Sequence, residues 1–128
     1  MYNTPMIDVR RFVKSFHYAA QGIHFAFRRD QNLRFHFFMA VVVIAASLVL
    51  SVNPFEMGIL GVMILLVMVT EMINSAIEQM VDLITKEHRQ EAKIAKDVAS
   101  GMVLLTALGS IIVGVLIFTP HIIRLFQR

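Results

Sequence analysis

The stretch Glu71-Met-Ile-Asn-Ser-Ala-Ile-Glu-Gln-Met-Val-Asp82 sets Glu71, Asn74, Glu78 and Asp82 at intervals of three, four and four residues. At about 100° per residue, these four side chains fall within about 80° of helical arc, with Ser75 beside them. The opposite face carries Met72, Ile73, Ile77, Met80 and Val81. Three carboxylates on one stripe repel each other, so the arrangement calls for a cation. Two plainer readings compete with a site. One is a solvated helix end, which suits Asp82 better than Glu71; the other is an ion-pair network with Lys93, Lys96 or Arg34. Glu71, however, closes a wholly apolar run, and an acid placed there marks a functional site by default. A second cluster, Lys93-Ile-Ala-Lys96-Asp97-Val-Ala-Ser100, and a third, Arg28-Arg-Asp30-Gln-Asn32-Leu-Arg34-Phe-His36, each adjoin another apolar run. A few carboxylates together with phosphate oxygens can hold Mg²⁺, and lysine and arginine hold phosphates. Such a combination is what phosphoryl transfer requires. No glycine-rich phosphate loop of P-loop or protein-kinase spacing is present, since Gly58 and Gly61 sit in an apolar run. A nucleotide site here would be of another kind.

The elements that must position these groups are read from apolar length. Of the 128 residues 57% are hydrophobic and 16% charged, above the apolar share usual for soluble domains. Phe35 to Phe55, Met57 to Thr70 and Val98 to Ile123 contain no Asp, Glu, Lys or Arg. Crossing a bilayer takes roughly 20 apolar residues. The middle stretch has only 14, so its helix spans by continuing through Glu71 or starting near Pro54. The spacing predicts an amphipathic helix over 6–29 and spans over 35–53, 55–85 and 96–123, all within one domain, 1–128. In the first helix Phe12, Phe16, Ile23 and Phe27 oppose Arg10, Lys14, His17, Gln21, His24 and Arg28, a pattern that suits the membrane interface. Gly101, Gly109 and Gly114 with Ser100, Ala107 and Ser110 give the last span small residues for close helix packing.

Of the twelve basic residues, six precede the first span, four lie from Lys86 to Lys96, and two, Arg124 and Arg128, lie at the far end. The turn at Asn53-Pro54 has none. By the positive-inside rule the amino terminus and the Lys86–Lys96 region are cytoplasmic, and the Asn53-Pro54 turn and the carboxyl terminus lie outside. Residues 1–34 are too charged to hold the apolar core of a secretion signal. The net charge of +3 is read as contact with anionic headgroups rather than nucleic acid. With no cysteine, disulfides, zinc-thiolate sites and thiol nucleophiles are excluded. His17, His24 and His121 are expected at headgroup level.

Glu71-Met-Ile-Asn74-Ser75-Ala76-Ile77-Glu78-Gln-Met-Val81-Asp82 resembles the signature of the prokaryotic diacylglycerol kinase/undecaprenol kinase family, E-x-[LIVM]-N-[ST]-[SA]-[LIV]-E-x-x-[VY]-D, at every specified position. The pair Lys96-Asp97, the loop Glu87-His88-Arg89, Ser15-Phe-x-Tyr18-Ala-x-x-Gly22 and Asn32-x-Arg34-x-His36 fit the same family, so the resemblance covers nearly the whole chain. It implies an all-α membrane protein, a surface helix plus three transmembrane helices, assembling as a homotrimer with active sites between subunits at the cytoplasmic face of a bacterial inner membrane. It also implies ATP as phosphoryl donor, Mg²⁺, and a lipid alcohol, diacylglycerol or undecaprenol, as acceptor; Asn32-x-Arg34-x-His36 is closer to the undecaprenol-using branch. By the same resemblance Glu71 is the general base, Asn74 orients the site and Lys96 neutralises phosphate charge. Glu78 and Asp30 bridge the metal and nucleotide. Arg11, Tyr18, Asp97 and Glu87-His88-Arg89 contact the nucleotide, while Arg11 and Ser100 lie near the lipid headgroup. One position departs: Asp30 stands where the family usually has glutamate. Its plainer alternative is an ion pair with Arg29 or Arg34.

Two other classes fit parts of the pattern. A small proton-coupled transporter would use Glu71 as carrier but leaves Asn74, Glu78, Asp82 and Lys96 without a task. A non-catalytic assembly subunit would use the polar stripe to bind partner helices.

Overall fold

Asp8 opens the first helix, its carboxylate accepting the backbone N–H groups of Arg10 and Arg11 at 3.0 and 3.2 Å, as an N-cap residue does. In the computed structural model, which describes residues 8–127, four helices follow: α1 Val9–Arg29, α2 Gln31–Val49, α3 Pro54–Ile84 and α4 Gln90–Phe126. Positions 6 and 7, included in the expected first helix, lie outside the described residues. Helices α2, α3 and α4 are each long and apolar enough to cross a membrane. The helix of the third predicted span starts at Gln90 rather than near Lys96, so Lys93 is already helical.

Helix length explains why one end of the bundle carries the chemistry. At 1.5 Å per residue, the 19 residues of α2 cover about 28 Å, close to the hydrocarbon thickness of about 30 Å. The 31 residues of α3 and 37 of α4 exceed that requirement by roughly 11 and 17 residues. In α3 the excess corresponds to the polar turns after Glu71. Antiparallel packing of α3 on α4, the most extensive contact in the chain, brings those turns beside the start of α4. Thr70 Oγ1 and Thr106 Oγ1 lie 2.9 Å apart across this interface. Ala99, fully enclosed, keeps α4 close near the polar end. Of the α4 glycines only Gly109 would bring an added Cβ near another group, Met63 Cε at 3.7 Å. Gly101 and Gly114 face open space in the single chain.

At the opposite end Val52, Leu60 and Ile117 form a small apolar cluster. Beside it the His121 ring lies 2.8 Å from the Glu56 carboxylate, with the histidine side chain only 10% exposed. His121 is thus enclosed between helix ends at this end of the bundle.

Apolarity continues past Val49, but the helix does not. The chain reverses over residues 50–53 because Ser51 adopts φ 54°, while Ser51 N and Val52 N donate to Leu48 O at 3.2 Å and Ser47 O at 2.9 Å. This paired closure usually employs glycine at the left-handed position. Asn53 then caps α3 through the Glu56 amide at 2.9 Å, and Pro54 occupies the first turn, where its missing N–H is harmless. The left-handed conformation costs a residue with a Cβ about 1–2 kcal/mol. Ser51→Gly therefore should raise stability by about 0.5 kcal/mol, after subtracting glycine's extra unfolded-state freedom. Reversible unfolding in mixed micelles checks this; a loss of stability contradicts it.

Candidate active site

A single residue, Asp30, separates α1 from α2. Its N–H closes α1 on Ala26 O at 2.8 Å. Its Oδ1 caps α2 by accepting from Asn32 N at 2.8 Å and Leu33 N at 3.3 Å. The other carboxylate oxygen accepts from the Ser75 hydroxyl of α3. Asp30 thus ties the surface helix, the first span and the polar stripe together. Arg34 takes a different task from the ion pair considered for it. Its Nη1 donates to Phe27 O and Arg28 O at 3.2 and 2.7 Å, satisfying carbonyls that a helix end leaves without internal partners. Arg29 lies over the Phe25 ring, 5.8 Å from its centroid. Among the described residues, Asp30 forms no ion pair with either arginine.

The acidic stripe divides along its length. Glu71 and Asn74 are 1% and 6% exposed, whereas Glu78 and Asp82 are exposed. The polar groups that bear on the Glu71 carboxyl are Asp30, Asn32 and Glu78. Asn74 Nδ2 donates to Glu78 Oε1 at 3.1 Å, joining the buried half to the exposed half. Two buried acceptors, Glu71 Oε1 and Asn74 Oδ1, have no hydrogen-bond partner among the described residues. Leaving a buried acceptor unsatisfied costs roughly 1–3 kcal/mol, so this pair is suited to receive donors from a ligand.

Two clefts flank the stripe. The first, ≈ 710 Å³, lies between the α1–α2 junction and α3, and its walls include Asp30, Asn32, Ser75, Glu78 and Asp82. The second, ≈ 750 Å³, lies around the α3–α4 connection, with Glu87, His88, Arg89, Lys93, Lys96 and Asp97 on its walls. Here Arg89 pairs with Glu87 at 3.0 Å and Lys93 with Asp97 at 2.6 Å. Across the helices Lys96 Nζ meets Asp82 Oδ1 at 2.6 Å. The inter-helix ion pair considered as an alternative for Lys96 therefore forms, but only with the last acid of the stripe. Glu78 and Lys96 stand at the same end of the bundle.

The chain gathers the expected site residues unequally. Asp30 and Glu78 share the first cleft; Glu87, His88, Arg89, Lys96 and Asp97 share the second. Glu71 and Asn74 are buried and line neither. Arg11 and Tyr18 are exposed on α1 and line neither cleft, the Arg11 guanidinium lying 3.9 Å from Asp8. Ser100 is exposed one turn beyond Lys96. Ser75 and Asn32, which no site role was given, prove to contact Asp30 and to bear on Glu71, respectively. The position of Ser75 beside the stripe was the available signal; nothing in the spacing of Asn32 pointed to Glu71.

Comparison with known proteins supplies the family. The profile of the family described as prokaryotic diacylglycerol kinase matches residues 17–118. A diacylglycerol kinase of a Synechocystis species is 39% identical over 112 residues, covering 87% of this chain and 64% of that protein. This chain thus spans less than two thirds of that relative's length. An undecaprenol kinase of Bacillus subtilis is 38% identical over 115 residues, covering 90% of this chain and 94% of its own. A diacylglycerol kinase of Haemophilus influenzae is 32% identical, covering 92% and 100%. Fold and family define the class as a membrane-embedded lipid kinase. The chain belongs to the prokaryotic diacylglycerol kinase family.

Asp30 serves as a cap whatever else it does, so its structural role is separable. Asp30→Ala should cost about 1 kcal/mol of stability, whereas Asp30→Asn, which keeps a capping oxygen, should cost a few tenths. Thermal unfolding of the two variants in the same micelles checks the ranking; equal losses would remove the cap from the account.

Proposed function

We propose that this chain transfers the γ-phosphoryl group of ATP to the hydroxyl of a membrane lipid, diacylglycerol or undecaprenol, at the cytoplasmic face of a bacterial inner membrane. The carrying observation is the pair of buried, unpartnered acceptors, Glu71 Oε1 and Asn74 Oδ1, joined through the Asn74–Glu78 hydrogen bond to a cleft walled by Asp30 and Glu78. An alcohol hydroxyl entering from that wall brings the donor these acceptors lack. Glu71 takes the hydroxyl proton as the lipid oxygen bonds to phosphorus and the bond from phosphorus to ADP breaks. A desolvated carboxylate is a stronger base than a hydrated one, which favours this task for a poorly acidic alcohol.

The donor set fits Mg²⁺. Asp30 and Glu78 present hard oxygen donors to one cleft, and among the described residues no three His, Asp or Glu side chains converge into a cage. Mg²⁺ is commonly held in this way, by one or two carboxylates with phosphates completing its shell. When bound, the ion supplies charge neutralisation at the phosphates. Lys96 adds a second positive charge, and Asn74 orients the groups between Glu71 and Glu78. The nucleotide lies along Glu87, His88, Arg89 and Asp97, with Arg11 and Tyr18 contributed from α1; Arg11 and Ser100 adjoin the lipid headgroup. Because one chain leaves Arg11, Tyr18 and Ser100 outside both clefts, the complete site is formed between subunits of a homotrimer. In this arrangement α1 lies in the interface and the amino terminus is cytoplasmic, as the ten-to-two basic bias favours.

A proton-coupled transporter leaves Lys96, Glu78 and the cleft around Glu87 to Asp97 without a purpose, and an assembly subunit leaves that cleft without one. Transfer of labelled phosphate from ATP to lipid in micelles, with diacylglycerol and undecaprenol offered in parallel, tests the reading and selects the acceptor. Absence of transfer to either alcohol refutes it. Within an active protein, Glu71→Gln should lower turnover by at least about 10³-fold while MgATP binding and folding persist. Full activity in that variant removes the base assignment.

A further inference from the structure

Among the described residues Asp82 is the one carboxylate on the walls of both clefts, and it holds Lys96 Nζ at 2.6 Å. We infer that Asp82 is a positioning residue for Lys96: it parks the ammonium at the junction of the two clefts, from which the triphosphate draws it onto the transferring phosphoryl group. This inference rests on the kinase reading of the site.

Three observations favour parking over simple helix stapling. Asp82 and Lys96 come from α3 and α4 and are 14 residues apart, so tertiary packing, not helical periodicity, brings them together. Of the neighbouring cations, Lys93 is held by Asp97 within α4 and Arg89 by Glu87 in the connection, while Lys86 on the same cleft wall makes no ion pair among the described residues. Lys96 is thus the cation whose anchor belongs to the acidic stripe itself. The anchor is also weak by construction. The two side chains remain 37% and 67% exposed, and an ion pair so open to water contributes little net stability. A triphosphate carries more negative charge than one carboxylate and can therefore displace it. Glu78, one turn before Asp82, accepts from Asn74 and makes no ion pair with the lysine among the described residues.

Without the anchor, Lys96 is free to settle on whichever phosphate oxygen is most exposed. Ground-state attraction for the nucleotide is then kept or strengthened, while alignment with the transferring group is lost. Steady-state kinetics on the purified full chain in lipid micelles separate these effects. For Asp82→Asn, kcat should fall by about tenfold, with KM for MgATP unchanged or lower by up to about threefold. Asp82→Glu should recover kcat to within about threefold of the parent. A purely structural staple predicts something different: a lower thermal midpoint, a smaller active fraction on titration with a tight nucleotide analogue, and unchanged kcat per active site. That pattern overturns the inference, as does Asp82→Asn with parental kcat and KM, or Asp82→Glu no better than Asp82→Asn. If Asp82→Asn does not fold, Asp82→Glu and Asp82→Ser carry the same comparison. A parent protein that phosphorylates no lipid alcohol fails the kinase reading itself, so the two failures are distinguishable.

Discussion

A carboxylate at the end of an apolar helix run must be enclosed by groups that tolerate it, and the folding of this chain organises itself around that requirement. Glu71 lies where the hydrocarbon part of α3 gives way to its polar turns, and it is almost wholly buried. Its polar neighbours come from two other positions in the chain: Asp30 and Asn32 at the α1–α2 junction and Glu78 two turns further along α3. The enclosure is incomplete at the atomic level, since one oxygen of Glu71 and one of Asn74 accept nothing among the described residues. Stability is thus surrendered at two buried acceptors.

The remaining polar contacts follow from bringing three helix ends to one place. Asp30 does this with both oxygens, capping α2 and accepting from Ser75 on α3. Arg34 seals the last turn of α1. At the far end of the bundle the Glu56–His121 contact and the capped reversal at Asn53 hold α3 to its neighbours on either side. These far-end contacts fix where α3 begins and hold it beside the last turns of α4. Because α3 and α4 are longer than α2, their surplus turns accumulate at the Glu71 end, where the two clefts open.

The shorter Asp30 side chain acquires a physical explanation from this geometry. A carboxylate one methylene closer to the backbone reaches the amides of the helix it precedes, which is the reason Asp is a favoured N-cap. The residue also stands on the cleft wall. The position therefore combines a structural bond with an acidic surface, and Ser75 holds the orientation between the two.

Much of this architecture was legible in the linear order of residues. Charge-free lengths determined that three helices could cross a membrane, and the three–four–four spacing determined that Glu71, Asn74, Glu78 and Asp82 share a helix face; both are local properties, governed by rise and turn per residue. The signature around Glu71 placed the chain among lipid kinases, a family the comparisons bear out. Sequence did not disclose that Asp30 caps α2 while meeting Ser75, that Arg34 serves carbonyls instead of acids, or that His121 is enclosed against Glu56. Nor did it reveal which of the candidate cations Asp82 would hold, or which half of the stripe would be buried. Each of those depends on the distance between atoms on different helices, and that distance is decided by how the helices pack.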